Sequence, residues 1–315
     1  MDTKGSIVRS DLTPRQAKLL QIASSPRPAL YDGSKGVYLS PSLAQVGKRP
    51  SDLTEWLNLL APDTVRRAHQ EYVAAGSQII QTNSFNGNRF RLQASGLDSR
   101  VEEVNVSAAQ IAREAAGDDV LVAGVIGPSG KLPAVGEVAK DELVAAFADQ
   151  ARALDKGGAD FFHIETMSDL EESVAAVEGA RSVSGLPVAL TMSFDAGNVE
   201  RGLRSMMGVS PKALVEKANE LELFAVGANC GLGLEGYQPL IRDLVESAPT
   251  GILIAKLNAG MPKIEGGRTV YETSPASMAD YAVWCARKGV RIVGACCGST
   301  PEHIEAMARA LTREL

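Results

Sequence analysis

Eight times along this chain a short run of β-branched and apolar residues gives way to a longer amphipathic stretch, and no other feature restricts the fold as tightly. The runs fall at 29–32, 78–82, 120–125, 161–165, 187–192, 225–229, 252–257 and 291–295, and they read as strands. The stretches at 62–75, 99–116, 140–156, 168–182, 210–220, 237–247, 275–288 and 301–313 read as helices. Ser210-Pro211, Ser274-Pro275 and Thr300-Pro301 each set a capping side chain before a proline at the first helical position. Gly76, Gly157 and Gly289 stand where helices should stop. Eight βα units in series predict an α/β fold, a single (β/α)8 TIM barrel, because an open parallel sheet of that size would leave edges unpaired. A doubly wound sheet is the alternative, but no Gly-x-Gly-x-x-Gly turn follows the first strand. The segment 13–21 reads as an extra N-terminal helix, dividing the chain into an N-terminal extension, 1–27, and a barrel, 28–315.

Composition excludes several partners. A net charge of −6 without a long Lys/Arg cluster disfavours nucleic acid and anionic membrane. No apolar run reaches the roughly 18 residues that span a bilayer. The stretch 1–10 is too polar for a signal peptide, and four cysteines without a leader argue against a disulfide framework, so cytoplasm is the expected compartment. Nothing in the sequence indicates an oligomeric state.

Polar and sulfur residues gather where the strands end: Asp32, Thr82 with Asn83, Gly127, Glu165 with Thr166, Ser193 with Asp195, Asn229 with Cys230, Asn258, and Cys296 with Cys297. In a (β/α)8 barrel those ends form the catalytic face. Cys230, Cys296 and Cys297 follow the sixth and eighth strands, and each group is followed at once by glycine. Three thiolates from two strand ends suit a soft cation, Zn²⁺ above all, with the fourth tetrahedral position open to a substrate thiol. Successive strand residues point to opposite faces, so the vicinal sulfurs can meet one metal only where the strand breaks, and Gly298 supplies the break. Buried inert cysteines, or a strained vicinal disulfide with redox activity, are the competing readings. Cys285, in a helical stretch, reads as core.

Thr82-Asn83-Ser84-Phe85, Ile164-Glu165-Thr166-Met167, Asn229-Cys230-Gly231, Asn258-Ala259-Gly260-Met261-Pro262 and the Cys296-Cys297-Gly298 segment together resemble the homocysteine S-methyltransferase family, from Asp32 to the last helix. Leu57-Asn58-Leu59-Leu60-Ala61-Pro62 resembles most the homocysteine-binding module of cobalamin-dependent methionine synthase. The resemblance implies a thiol methyltransferase that makes methionine from homocysteine. It implies one Zn²⁺ per chain on Cys230, Cys296 and Cys297, with Glu165 holding the substrate ammonium and Asp32 assisting. Asn83 and Asn258 are further candidates for substrate contact. An ion pair with a neighbouring Lys or Arg is the competing role for Glu165.

The first loop departs from the family. Asp32-Gly33-Ser34-Lys35-Gly36-Val37 stands where the family usually has Asp-Gly-Gly-Met-Gly-Thr or Asp-Gly-Ala-Met-Gly-Thr. Lys35 therefore either faces solvent or enters the pocket, where it reshapes the space, pairs with a substrate carboxylate or admits a different thiol. The histidines add little: His69 is expected at the surface, His163 in the core or at the site, and His303 at the start of the last helix. The favoured methyl donor is a methyl-corrinoid on a separate protein, because the chain resembles a detached module of a cobalamin enzyme; none of its histidines forms the Asp-x-His-x-x-Gly pattern that ligates cobalamin. S-methylmethionine or another small sulfonium is next. A betaine is least favoured, because aromatic residues make up only 5% of the chain and no cluster would cage a quaternary ammonium. From another class, the chain could be a non-catalytic thiol- or zinc-binding subunit of a larger methyltransferase.

Overall fold

The computed structural model describes residues 14–315 apart from 199, 201, 266 and 267. The polar stretch 1–10 and Thr13 of the expected first helix lie outside the described residues. Eight strands form one parallel sheet: β1 Ala29–Leu30, β2 Ile79–Gln81, β3 Leu121–Ile126, β4 Phe161–Met167, β5 Val188–Met192, β6 Ala225–Asn229, β7 Ile252–Leu257 and β8 Ile292–Ala295. Each pairs with its sequence neighbour, β8 returns to β1, and a parallel bridge from Tyr31 to Ile79 joins β1 to β2. The sheet is therefore a closed barrel, as the eightfold alternation predicts.

Eight helices surround it: α1 Pro62–Ala74, α2 Val101–Ala116, α3 Lys140–Lys156, α4 Leu170–Val183, α5 Pro211–Glu220, α6 Leu234–Glu246, α7 Pro275–Arg287 and α8 Pro301–Glu314. Local chemistry explains their ends. The hydroxyls of Ser210 and Ser274 accept from Ala213 N at 3.1 Å and Ser277 N at 3.2 Å. Gly76 and Gly289 adopt φ of 102° and 91°, where a side chain would be strained. β6 and β7 span the residues read from the sequence, and so does α3.

The expected N-terminal helix runs Pro14–Ser24 and corks the N-terminal end of the barrel. Leu19, 2% exposed, packs with the interior residues Ala29, Tyr31, Ile79, Phe161 and Ile254. Burying such a leucine stabilises by about 1.5–3 kcal/mol. Arg15 Nε meets Asp160 Oδ1 at 2.7 Å, and Lys18 Nζ donates to Asp118 O at 2.7 Å, which fixes the cork in place. Periodicity does not reveal the short elements at the opposite end. Helices Gly36–Leu39 and Trp56–Leu60 precede α1, and antiparallel strand pairs, 196–198 with 202–204 and 263–265 with 268–270, follow β5 and β7. No described helix is long and apolar enough to cross a membrane.

Candidate active site

The strand ends bring the three cysteines together. β6 stops at Asn229, so Cys230 begins the following turn, with φ of 59° in the left-handed region. β8 stops at Ala295, so Cys296 and Cys297 lie past the pleat and both sulfurs can turn to one point. The ligand atoms of the three residues lie within 4.8 Å of one another, with Cys230 Sγ 3.7 Å from Cys297 Sγ. Sulfurs around a tetrahedral zinc, with bonds of about 2.3 Å, stand about 3.8 Å apart. The spacing suits such an ion. Gly298 is required at the break: its φ is 78°, and a Cβ there would fall 2.0 Å from the ring of Tyr271.

Backbone bonds hold the cluster. Cys296 N donates to Leu257 O at 2.7 Å, Cys230 N to Lys256 O at 3.2 Å, and Cys297 N to Asn258 Oδ1 at 3.1 Å. Ala259 N in turn donates to Cys297 O at 2.9 Å. Asn258, a candidate for substrate contact from the sequence, thus shapes the cysteine turn through its Oδ1. The sulfurs share protons unequally. Donation from Cys296 and Cys297 pulls the Cys230 thiol down, while the contact with Cys230 pushes Cys296 and Cys297 up, opposed at Cys296 by donation from Cys297. Three thiols this close ionise together only around a cation.

Beside the sulfurs lie two buried ion pairs. Lys35, only 5% exposed, bonds Asp32 Oδ2 and sits 4.0 Å above the Tyr72 ring. It does not face solvent. Gln81 N also donates to Asp32 Oδ2, at 3.1 Å, while Asp32 Oδ1 is buried without a hydrogen-bond partner. Burial pushes the Asp32 carboxyl up, against the pull of Lys35 and Lys256, and pushes the Lys35 ammonium down despite Asp32. Lys256, fully buried in β7, donates to Gln81 Oε1 at 2.6 Å and Glu165 Oε2 at 2.9 Å. Burial works against this ammonium, but Glu165, Cys296 and Asp32 outweigh it and raise its pKa. Desolvation raises Glu165 in turn, opposed by Lys256.

Below these pairs, His163 bridges Tyr31 Oη and Thr191 Oγ1, each at 3.0 Å. Burial holds its pKa well below the ordinary value, so the ring is neutral near pH 7.

Other residues fall elsewhere. Asn83 is spent on the chain itself: Oδ1 accepts from Thr54 Oγ1, and Nδ2 donates to Thr54 O and Asn58 Oδ1, all at 2.9 Å. It anchors the segment before α1 and has no group to offer a substrate. His69 is not at the surface but fully buried on α1, with neither ring nitrogen hydrogen-bonded, because that helix face packs inward. His303 Nδ1 accepts from Thr300 N at 3.2 Å, and Nε2 meets Thr273 O at 2.9 Å, so it caps α8 and ties down the loop after β7. Cys285 is core, its thiol pushed up to about 12 by burial. Sequence reasoning missed Lys256 and Tyr271. The signal for Lys256 was present: one cation inside the otherwise apolar run Ile252-Leu253-Ile254-Ala255-Lys256-Leu257.

Comparison with known proteins places this geometry. The oxidized homocysteine methyltransferase MmuM of Escherichia coli superposes with a TM-score of 0.73 at 23% identity, over 94% of this chain and 99% of that one. Its metallated form gives 0.74 at 22%, over 92% and 99%. A methyltransferase from Methanosarcina mazei matches at 0.57 and 13%, over 96% of this chain and 99% of its own. At these identities the likeness is one of fold. The family described as homocysteine S-methyltransferase matches residues 29–311, which take in all eight strands and all three clustered cysteines. The chain belongs to the homocysteine S-methyltransferase family.

Proposed function

We propose that this enzyme moves a methyl group onto the sulfur of homocysteine, giving methionine, at a zinc ion held by Cys230, Cys296 and Cys297. The observation that carries the reading is three sulfurs within 4.8 Å of one another beside two buried carboxylates in one barrel mouth. A zinc ion held there supplies the Lewis acidity that keeps an acceptor thiol ionised near neutral pH. The protein does the rest. Asp32 Oδ1, a buried acceptor lacking a partner, suits an ammonium hydrogen, and Glu165 lies across the same floor. An ammonium held between them directs the acceptor sulfur toward the three cysteines. Asn258 and Ala259 keep the cysteine turn from shifting as the sulfur attacks the methyl carbon.

The donor we favour is a methyl-corrinoid carried by a separate protein. Large apolar side chains stand exposed on the loops that follow the strands, among them Val37, Val135, Met206, Met207, Met261 and Ile264. A rim of this kind suits a macromolecular donor better than a small one. The four free cysteines suit a reducing compartment, and we place the protein in the cytoplasm. The test is methionine formation by zinc-loaded protein and homocysteine, with methylcobalamin and S-methylmethionine supplied separately. Product with methylcobalamin supports the favoured donor, and product with the sulfonium alone replaces it. No product with either, in the presence of a corrinoid protein as well, would leave a thiol-binding subunit.

Lys35 sets the acceptor preference in this reading. Lys35→Met frees Asp32 for the substrate ammonium. The KM for homocysteine should then fall about tenfold relative to that for 3-mercaptopropionate, the ratio that ~1.4 kcal/mol of altered pairing produces. An unchanged ratio in initial-rate measurements would show that Lys35 does not act on the acceptor.

A further inference from the structure

Asn229, the last residue of β6, is completely buried and joins four strands through one amide. Its Oδ1 accepts from Thr166 N at 2.9 Å and from the Thr191 hydroxyl at 2.6 Å. Its Nδ2 donates to Thr166 Oγ1 at 2.7 Å and reaches Cys296 Sγ at 3.8 Å. Thr166 directly follows Glu165 in β4, Thr191 lies in β5, and Cys296 opens the turn after β8. A buried asparagine needs partners, but nothing in that need selects a metal-ligand sulfur at one end and the neighbour of a substrate carboxylate at the other.

The backbone gives a second reason to look here. Thr166 and Cys230 have φ of 60° and 59°, the left-handed region that side chains rarely adopt and β-branched ones least of all. Both adjoin Asn229, one through two hydrogen bonds and one through the peptide bond. Such conformations persist only where the surroundings enforce them, and they collect at functional sites. Asn229 grips Thr166 by its N–H and its hydroxyl together, so the direction in which Glu165 leaves β4 depends on this amide.

We propose that Asn229 is a positioning residue that links the acceptor end of the site to the metal end. It sets the course of Glu165 through Thr166, and it lends an N–H to the Cys296 sulfur. Donation of that kind draws electron density from a thiolate ligand, so Asn229 tempers how electron-rich the metal site is. Nδ2 serves Thr166 Oγ1 and Cys296 Sγ at once, so a shift of Thr166 when the acceptor binds alters what reaches the sulfur. The proposal rests on reading the cysteines as the metal site and Glu165 as the acceptor carboxylate.

Cobalt(II) is the probe, because its sulfur-to-metal charge-transfer band reports ligand electron density directly. Asn229→Asp keeps the shape and both accepting bonds but loses the N–H. The band should move to longer wavelength, and zinc should be held about 10- to 100-fold more weakly, the usual cost of removing an outer-shell partner. Thr166→Val keeps the β-branched shape and removes the competing acceptor, leaving Nδ2 to Cys296, and the band should move to shorter wavelength. Shifts of opposite sign support the proposal. Bands that coincide with the unaltered protein, or move in the same direction, overturn it while the metal-site reading stands. If Asn229→Asp fails to fold, the Thr166→Val shift decides alone. If the unaltered protein binds no cobalt, the metal-site reading fails first and takes the proposal with it.

Discussion

Cys297→Ala should leave a folded barrel that holds no stoichiometric zinc and transfers no measurable methyl group. The effect on stability is small because Cys297 is only partly buried and its turn is held by main-chain groups that the substitution keeps, Cys297 N to Asn258 and Cys297 O from Ala259. A change of this kind costs about 1 kcal/mol or less. The effect on chemistry is total because two sulfurs cannot close a tetrahedral site that must also leave one position for the acceptor. Cys285→Ala is the control. That thiol is buried among α7 side chains, so its loss should lower the melting temperature by a few degrees and leave zinc content and turnover intact. The measurements are metal content by atomic emission, thermal melting and methionine formation. Full turnover in Cys297→Ala would end the zinc reading.

Lys256→Met should cost more stability than any other single change at the site, about 3–5 kcal/mol, the usual penalty for leaving a buried charge without its partner. Lys256 and Glu165 are both almost fully buried, Gln81 Oε1 loses its donor as well, and the Tyr31 ring loses a cation 4.1 Å from its centre. The loss should depend on pH. In the variant, desolvation without Lys256 raises the Glu165 carboxyl further, so the folded state binds a proton that the unfolded state has released. Stability then falls as pH rises from the ordinary carboxylate range through the raised value of the folded state, and the deficit narrows as pH drops and Glu165 becomes neutral in both states. Urea midpoints for both proteins at several pH values test this. A deficit that widens toward low pH would mean that Glu165 is not the group left stranded.

The barrel was legible because each strand is short, apolar and bounded by a turn signal, and because eight repeats leave little else to build. The cysteines were legible because adjacency at a strand end is rare in a core. The pairing of Glu165 with Lys256 was not, since the two lie 91 positions apart and only closure of the barrel brings β4 and β7 face to face. Asn83 misled for a similar reason. Its place at a strand end suggested an open pocket, yet the Thr54–Asn58 segment folds back over it and takes every polar atom. His69 misled because a helical stretch with arginines and glutamate beside it looks solvent-facing, although His69 lies on the inward face with Val65, Ala68 and Tyr72. The two antiparallel strand pairs are too brief to carry a period.

The cork at the N-terminal end has a kinetic meaning. Among the described residues, Leu19 sits among the interior side chains at the N-terminal end, which leaves the end where the strands finish and the cysteines sit as the way in. Acceptor and donor must share it. Whatever brings the methyl group stands in the path by which the thiol arrives and the thioether departs. With the proposed corrinoid protein as donor, the small molecule should load first and leave last, and an excess of donor should slow the cycle instead of hastening it.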